Sequence, residues 1–147
     1  MIKIMTPESP EDFKQYYDLR WRVLRGPWGQ PRGSERDDLE NAAIHVMARD
    51  AGGRLVGVGR GHMNSENEAQ VRYMAVEEDC RSRGIGGLIL MELEARLKQS
   101  GARTVILNAR EAAVPFYFRH GYAVTGPTHA LFGVIPHFKM SKQLTGA

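Results

Sequence analysis

At 147 residues, with 42% apolar and 25% charged side chains, the chain has the size and composition of a single soluble domain, residues 1–147, with a core of its own. No apolar run approaches the roughly 18 residues of a membrane span, and the start Met1-Ile2-Lys3-Ile4-Met5-Thr6-Pro7 lacks the long apolar stretch of a secretory signal, so neither is expected. The net charge of +3 is spread without a run of five basic residues, which argues against a nucleic-acid partner and suits a modest anionic ligand.

In chain order, residues 2–5 are a short strand candidate. Ser9-Pro10-Glu11-Asp12 then opens a helix, with serine as cap, proline in the first turn and acids at the positive end. That helix carries Phe13, Tyr16, Tyr17, Leu19 and Val23 at spacings of three and four. Residues 26–41, rich in Gly, Pro and charge, read as a loop or a short irregular helix. Residues 43–49 and 55–62 read as strands around the turn Ala51-Gly52-Gly53, followed by a polar turn at 64–69 and an alternating strand at 71–76. The firmest helix is 85–99. Ile85, Ile89, Leu93 and Leu97 recur every four residues, Glu92 with Arg96 and Glu94 with Lys98 form i,i+4 pairs, and Gly101 stands at the C-terminal cap. A short buried strand at 103–107, a short helix at 112–120 with Pro115 in its first turn, and a last strand at 134–140 complete a mixed α/β pattern. Residues 126–133 carry no readable pattern.

The segment Arg81-Ser82-Arg83-Gly84-Ile85-Gly86-Gly87 joins a strand to the front of that helix. Glycines let the backbone turn sharply there, and the first amides of a helix lack partners inside it, so this is a ready anion site. Arg81 and Arg83 add charge-assisted donors. A P-loop is excluded because no Gly-Lys-Ser or Gly-Lys-Thr occurs. A dinucleotide fingerprint is excluded because Ile89 stands where its third glycine belongs and the next strand ends in Asn108 rather than an acid.

The remaining pattern, R-x-x-G-x-G on Arg81, Gly84 and Gly86, resembles the coenzyme A loop of the GNAT acetyltransferase superfamily. A second segment, from Arg110 through Phe116-Tyr117 to Gly121-Tyr122, is similar to the family's F-Y-x-x-x-G-[FY] helix. The two motifs span residues 71–124, about a third of the chain. Residues 17–25 and 135–140 resemble a small bacterial branch. The resemblance implies an α+β fold: a mixed, mostly antiparallel sheet with a splayed central strand pair and about four helices. It also implies acetyl transfer from acetyl-CoA, a cosubstrate, to an amine by direct attack, in the cytoplasm.

By the same resemblance, the amides from Arg83 to Leu88 (Arg83, Gly84, Ile85, Gly86, Gly87, Leu88) hold the pyrophosphate, with Arg81 beside them. Met74, Ala75 and Val76 line the pantetheine arm, and Val76 N–H faces the thioester oxygen. Tyr117 protonates the leaving thiolate, with Phe116 next to it. Two positions depart from the family. Arg110 stands where many members carry an asparagine for the pantetheine arm, with Asn108 two residues earlier. Gln70 replaces the glutamate base of histone-modifying members, which leaves Glu111, His45 or His137 acting through water, or bulk water itself. The acceptor site is implied to lie between the first helix and the last hairpin.

Blander readings stand beside these. The glycine turn can be a turn only, Arg81 and Arg83 a solvated pair, and Tyr117 a packing aromatic. Arg20, Arg22 and Arg25 either face an acidic acceptor, since the resemblance implies an acceptor site in this region, or form a solvated helix face, the reading preferred; Trp21 and Trp28 either wall the acceptor pocket or pack the helix. Cys80, the single cysteine, reads as a bystander and fits a reducing compartment. His45, His62, His120, His129 and His137 form no ligand-spaced cluster, so no metal is expected. A non-catalytic acetyl-CoA sensor is the alternative function, and a homodimer is left open.

Overall fold

Hydrophobic period decides the layers. The structure, a computed structural model, describes residues 1–131, 133 and 135–144. Its strands are β1 (Lys3–Met5), β2 (Ile44–Arg49), β3 (Leu55–Met63), β4 (Glu68–Val76), β5 (Thr104–Arg110), β6 (Ala123–Leu131) and β7 (Ile135–Gln143). Its α-helices are α1 (Pro10–Leu24), α2 (Ile85–Gln99) and α3 (Val114–Arg119). The seven strands form one sheet in the order β1-β2-β3-β4-β5-β7-β6, antiparallel except where β4 meets β5. The expected mixed, mostly antiparallel sheet is therefore present.

Three α-helices stand among the described residues where about four were expected. The difference lies in 3₁₀ turns at Gly26–Trp28, Glu40–Ala42, Glu78–Cys80 and Glu111–Ala113, each too short to be an α-helix. The Ser9 cap is as expected: its hydroxyl accepts from Asp12 N–H at 3.0 Å while the Asp12 carboxylate accepts from Ser9 N–H at 3.4 Å. β5 runs past Leu107 to Arg110 because its alternation continues, with Val105, Leu107 and Ala109 buried on one face and Ile106, Asn108 and Arg110 on the other. β6 takes up residues 126–131 of the stretch without a sequence pattern. Val134, expected to start the last strand, lies outside the described residues.

α2 covers one face of the sheet through Ile85, Ile89, Leu93 and Leu97, all at most 1% exposed. β3 meets it with glycine at every second residue. A Cβ on Gly57 would lie 2.7 Å from Ile89 Cδ1, on Gly59 2.7 Å from Ile89 Cγ2, and on Gly61 2.9 Å from Leu97 Cδ1. The strand thus offers a bare track into which the helix side chains sink. α1 packs on the opposite face, where Tyr16, Leu19, Met47, Val58 and Ala75 form a second cluster.

Two irregularities open the sheet. β4 pairs with β5 only from Glu68↔Thr104 to Gln70↔Ile106, after which the strands part, which is the splayed pair expected. In the same stretch β4 bulges against β3. Val58 faces Ala75 and Arg60 faces Arg72, so Tyr73 and Met74 together stand opposite Gly59. Tyr73 adopts φ 59°, a left-handed conformation costly for a side chain of this size.

Gly59→Val is expected to lower stability by about 1–3 kcal/mol, because the added methyls enter a filled space. Urea unfolding measures it, and an unchanged midpoint would show that α2 can lift without cost.

Candidate active site

The parted strands enclose a cleft of about 150 Å³. β4 contributes residues 71–74 and β5 residues 107–110, with Leu24 and Arg25 from the end of α1, Ala113 and Tyr117 near α3, and His137 from β7. The sequence candidates Met74, Asn108, Arg110 and Tyr117 meet here. Arg72 and Tyr73 were not expected, since nothing in a strand pattern announces the bulge in β4, and Leu24 was not singled out; Arg25 was expected on a solvated face, with an acceptor-facing role as the other reading.

Backbone donors follow from the ladder. Glu77 N–H donates to Val56 carbonyl at 2.9 Å, so by antiparallel alternation the Val76 N–H before it points away from β3, toward the parted side. Ala75 is turned the other way. Opposite Val58 it pairs with β3, and its methyl is buried among the α1 cluster.

At the front of α2, Ser82 (φ 69°) and Gly84 (φ 78°) are both left-handed, and Gly84 caps the helix. Among the described residues nothing accepts from the amides of Ser82, Arg83, Gly84, Ile85, Gly86 or Gly87. Leu88, expected among the donors, already gives its N–H to Gly84 carbonyl at 3.1 Å, so the open set begins and ends one residue earlier than the sequence reading. Arg81 and Arg83 are exposed beside it. Gly86 and Gly87 have a packing reason as well. A Cβ on Gly86 would lie 3.2 Å from the Phe116 ring, and one on Gly87 2.9 Å from His120 Nε2. The two sequence motifs therefore interlock, Phe116 and His120 lying against the glycines of the loop.

Tyr117 is 8% exposed, its ring edge-on to Phe116 and Tyr122, and its hydroxyl has no partner among the described residues. Burial pushes its pKa well above the ordinary phenol range, opposed by the Arg110 charge, so the group stays protonated at neutral pH. Of the base candidates only His137 lines the cleft, with Nδ1 2.9 Å from Ile135 carbonyl. His45 is locked between Tyr16 hydroxyl (2.9 Å) and Glu40 carbonyl (2.7 Å) on the α1 face, and Glu111 is exposed in its turn. Gln70 accepts from Asn64 at 3.1 Å.

The arginines of α1 are not a solvated face. Arg20 has no solvent contact and Arg25 is 8% exposed; Arg22 is the exposed one, held by Asp18 and Glu77. Arg20 donates to Glu35 carbonyl (2.9 Å) and Glu40 (3.0 Å). Arg60, also fully buried, donates to Glu40 (2.6 Å) and to both oxygens of Asp37 (2.6 and 2.9 Å), which Arg72 also reaches at 3.0 Å. Arg20, Arg25, Arg60 and Arg72 surround the Tyr73 ring at 4.4 to 5.5 Å. Trp21 packs, its Nε1 donating to Gln30 carbonyl at 3.0 Å and its ring lying under Arg32. Cys80 is buried, and burial with the neighbouring Asp79 pushes its thiol pKa up.

Among the described residues no helix is long and apolar enough to cross a membrane. A family model described as an acetyltransferase (GNAT) domain matches residues 31–144. The chain is 35% identical over 141 residues to the uncharacterized N-acetyltransferase YjcF of Bacillus subtilis (strain 168), covering 96% of this chain and 99% of that one. Its fold is similar to an aminoglycoside 6'-N-acetyltransferase complexed with coenzyme A, with TM-score 0.82, 19% identity and coverage of 100% and 98%. It is also similar to a GNAT family acetyltransferase from Elizabethkingia anophelis with acetyl-CoA bound, with TM-score 0.73, 14% identity and coverage of 97% and 98%.

Burial acts against the charged form of Asp37, yet Arg60, the Leu39 amide and Arg72 hold its pKa down to about 2, from 3.8. Its folded value lies below its unfolded one, so its contribution is present above about pH 4 and is lost as pH falls through about 2. Asp37→Asn is expected to cost ~1–3 kcal/mol at pH 7, Glu40 still partnering Arg60, and the gap to the native protein should close toward pH 2. Urea unfolding at a series of pH values checks it; a gap independent of pH would remove the ionic part.

Proposed function

Because the chain belongs to the GNAT acetyltransferase family, we propose that it transfers an acetyl group from acetyl-CoA to a primary amine by direct attack. The observation that carries the reading is the pairing of two binding features on β4 and the helix that follows it: open amides at the front of α2, and a β4 edge freed from β5. The residues suit such a ligand. The amides of Ser82 to Gly87, with Arg81 and Arg83, take a pyrophosphate. Met74 and Val76 offer backbone groups along the parted edge to an extended amide-bearing arm, and Asn108 and Arg110 face it from β5.

Acetyl-CoA supplies an activated acetyl thioester. The protein's residues do the rest. Val76 N–H, aimed at the cleft, donates to the oxygen on which negative charge grows. The nitrogen–carbon bond forms as the carbon–sulfur bond breaks, the amine's proton leaves to water, and the thiolate takes a proton from Tyr117 hydroxyl. With Gln70 in place of an acid, His137 is the one base candidate of the sequence that lines the cleft, and a neutral amine needs none. A coenzyme-binding sensor without catalysis is the second reading. It rests on Gln70, and it predicts acetyl-CoA binding without thiol release for any amine.

Tyr117→Phe is expected to lower turnover about 10-fold or more and to alter the alkaline limb of the pH profile, measured by thiol release. Unchanged turnover would leave Tyr117 a packing residue. Gly86→Glu should abolish acetyl-CoA binding in calorimetry, since the side chain displaces Phe116 and sets a carboxylate among the open amides. Retained affinity would remove that loop from the site.

A further inference from the structure

The cleft is charged on one side only. Thirteen described residues line it; three are arginines and none is acidic. The titratable groups facing it come from five elements: Arg25 at the end of α1, Arg72 and Tyr73 from β4, Arg110 from β5, Tyr117 from α3 and His137 from β7. Asp37, just behind the lining, is shared between Arg60, which also has Glu40, and Arg72, whose acid among the described residues is Asp37 alone; Arg25 and Arg110 donate to carbonyl oxygens. Arg110 donates to Leu24 carbonyl at 3.5 Å, and burial, joined by the neighbouring cations Arg25 and Arg81, holds its pKa below the ordinary range. A half-buried group of like charges invites an anion.

The coenzyme's diphosphate has its own donors in the loop before α2. Arg25 and Arg72 sit instead on the α1 side, tied to the 30–42 segment through Ser34 carbonyl and Asp37. A plain alkylammonium approaching from that side meets like charge. Resting on the acetyl-transfer reading above, we propose that the acceptor is a small amine that itself carries a carboxylate, drawn to Arg72 and Arg110 on the α1 side of the cleft. A guanidinium matches a carboxylate with two parallel N–H donors. The same cations disfavour the ammonium form of the bound amine, so more of it is the neutral nucleophile. That removes the need for a glutamate where Gln70 stands.

The test is thiol release from acetyl-CoA with ω-amino acids of increasing length, each paired with its own carboxamide and compared per neutral amine. The carboxylate member should be favoured ~10-fold or more in kcat/KM at low salt, and less as salt rises. Arg72→Gln should shrink that preference through the acceptor's KM, with the KM for acetyl-CoA moving less than ~3-fold, whereas Arg110→Gln, at a residue that also faces the pantetheine arm, should shrink the preference and raise both KM values. Arg72→Lys should restore part of it, which separates lost charge from lost folding. Calorimetry of the amino acid into protein saturated with coenzyme A should give the same order. Equal rates for acid and amide overturn the inference and leave acetyl transfer standing, as does a loss confined to the KM for acetyl-CoA. No thiol release with any amine, while acetyl-CoA still binds, overturns both.

Discussion

Two guanidinium groups without solvent contact, Arg20 and Arg60, hold the α1 side of this protein together. Removing such charges from water costs several kcal/mol each, and the cost is offset only by close, well-aligned acceptors. Glu40 and Asp37 supply them from a segment with no helix or strand of its own beyond one 3₁₀ turn, and Glu35 adds a backbone carbonyl. The segment is thereby fixed over the sheet by ionic ties rather than by apolar packing. Tyr73 lies inside this arrangement, its ring ringed by cations while its backbone is held left-handed, and its bulge lies on the stretch where β4 has already parted from β5. Arg20 Nε and Arg60 Nε have no acceptor among the described residues. Even this network falls short of full satisfaction, which makes its remaining bonds matter more.

The fold was legible where a single period governs a segment. α2 is found with its sequence boundaries unchanged because one apolar stripe, one glycine turn before it and one glycine after it all agree. The capping box of α1 was equally readable. β5 was cut short because Asn108 and Arg110 are polar, yet they are outward members of an alternation whose inward members are Val105, Leu107 and Ala109. β6 escaped because Gly126 and Pro127 read as turn residues, whereas in the sheet β6 is an edge strand, where proline is tolerated.

Site residues divided along similar lines. The loop before α2 and Tyr117 were legible because local motifs carry them. The cationic wall was not, because Arg25, Arg72 and Arg110 are far apart in sequence and are brought together by a strand parting that leaves no local signature. Burial of Arg20 and Arg25 was misjudged for a related reason: an arginine on a helix is ordinarily solvated, and its acceptors here come from a loop that periodicity cannot read. The interlock of Gly86 with Phe116, and of Gly87 with His120, gives the two motifs one shared cause, contact between the halves of the site.

The glycine track of β3 bears on more than packing. Bare positions two residues apart on a strand recur about every 6.8 Å, and helix residues four apart about every 6 Å, so the isoleucine and leucine knobs of α2 drop into the track like teeth into notches. Sliding the helix lengthwise would require lifting it clear of every notch at once. The amides at its tip therefore keep a constant span from the freed edge of β4.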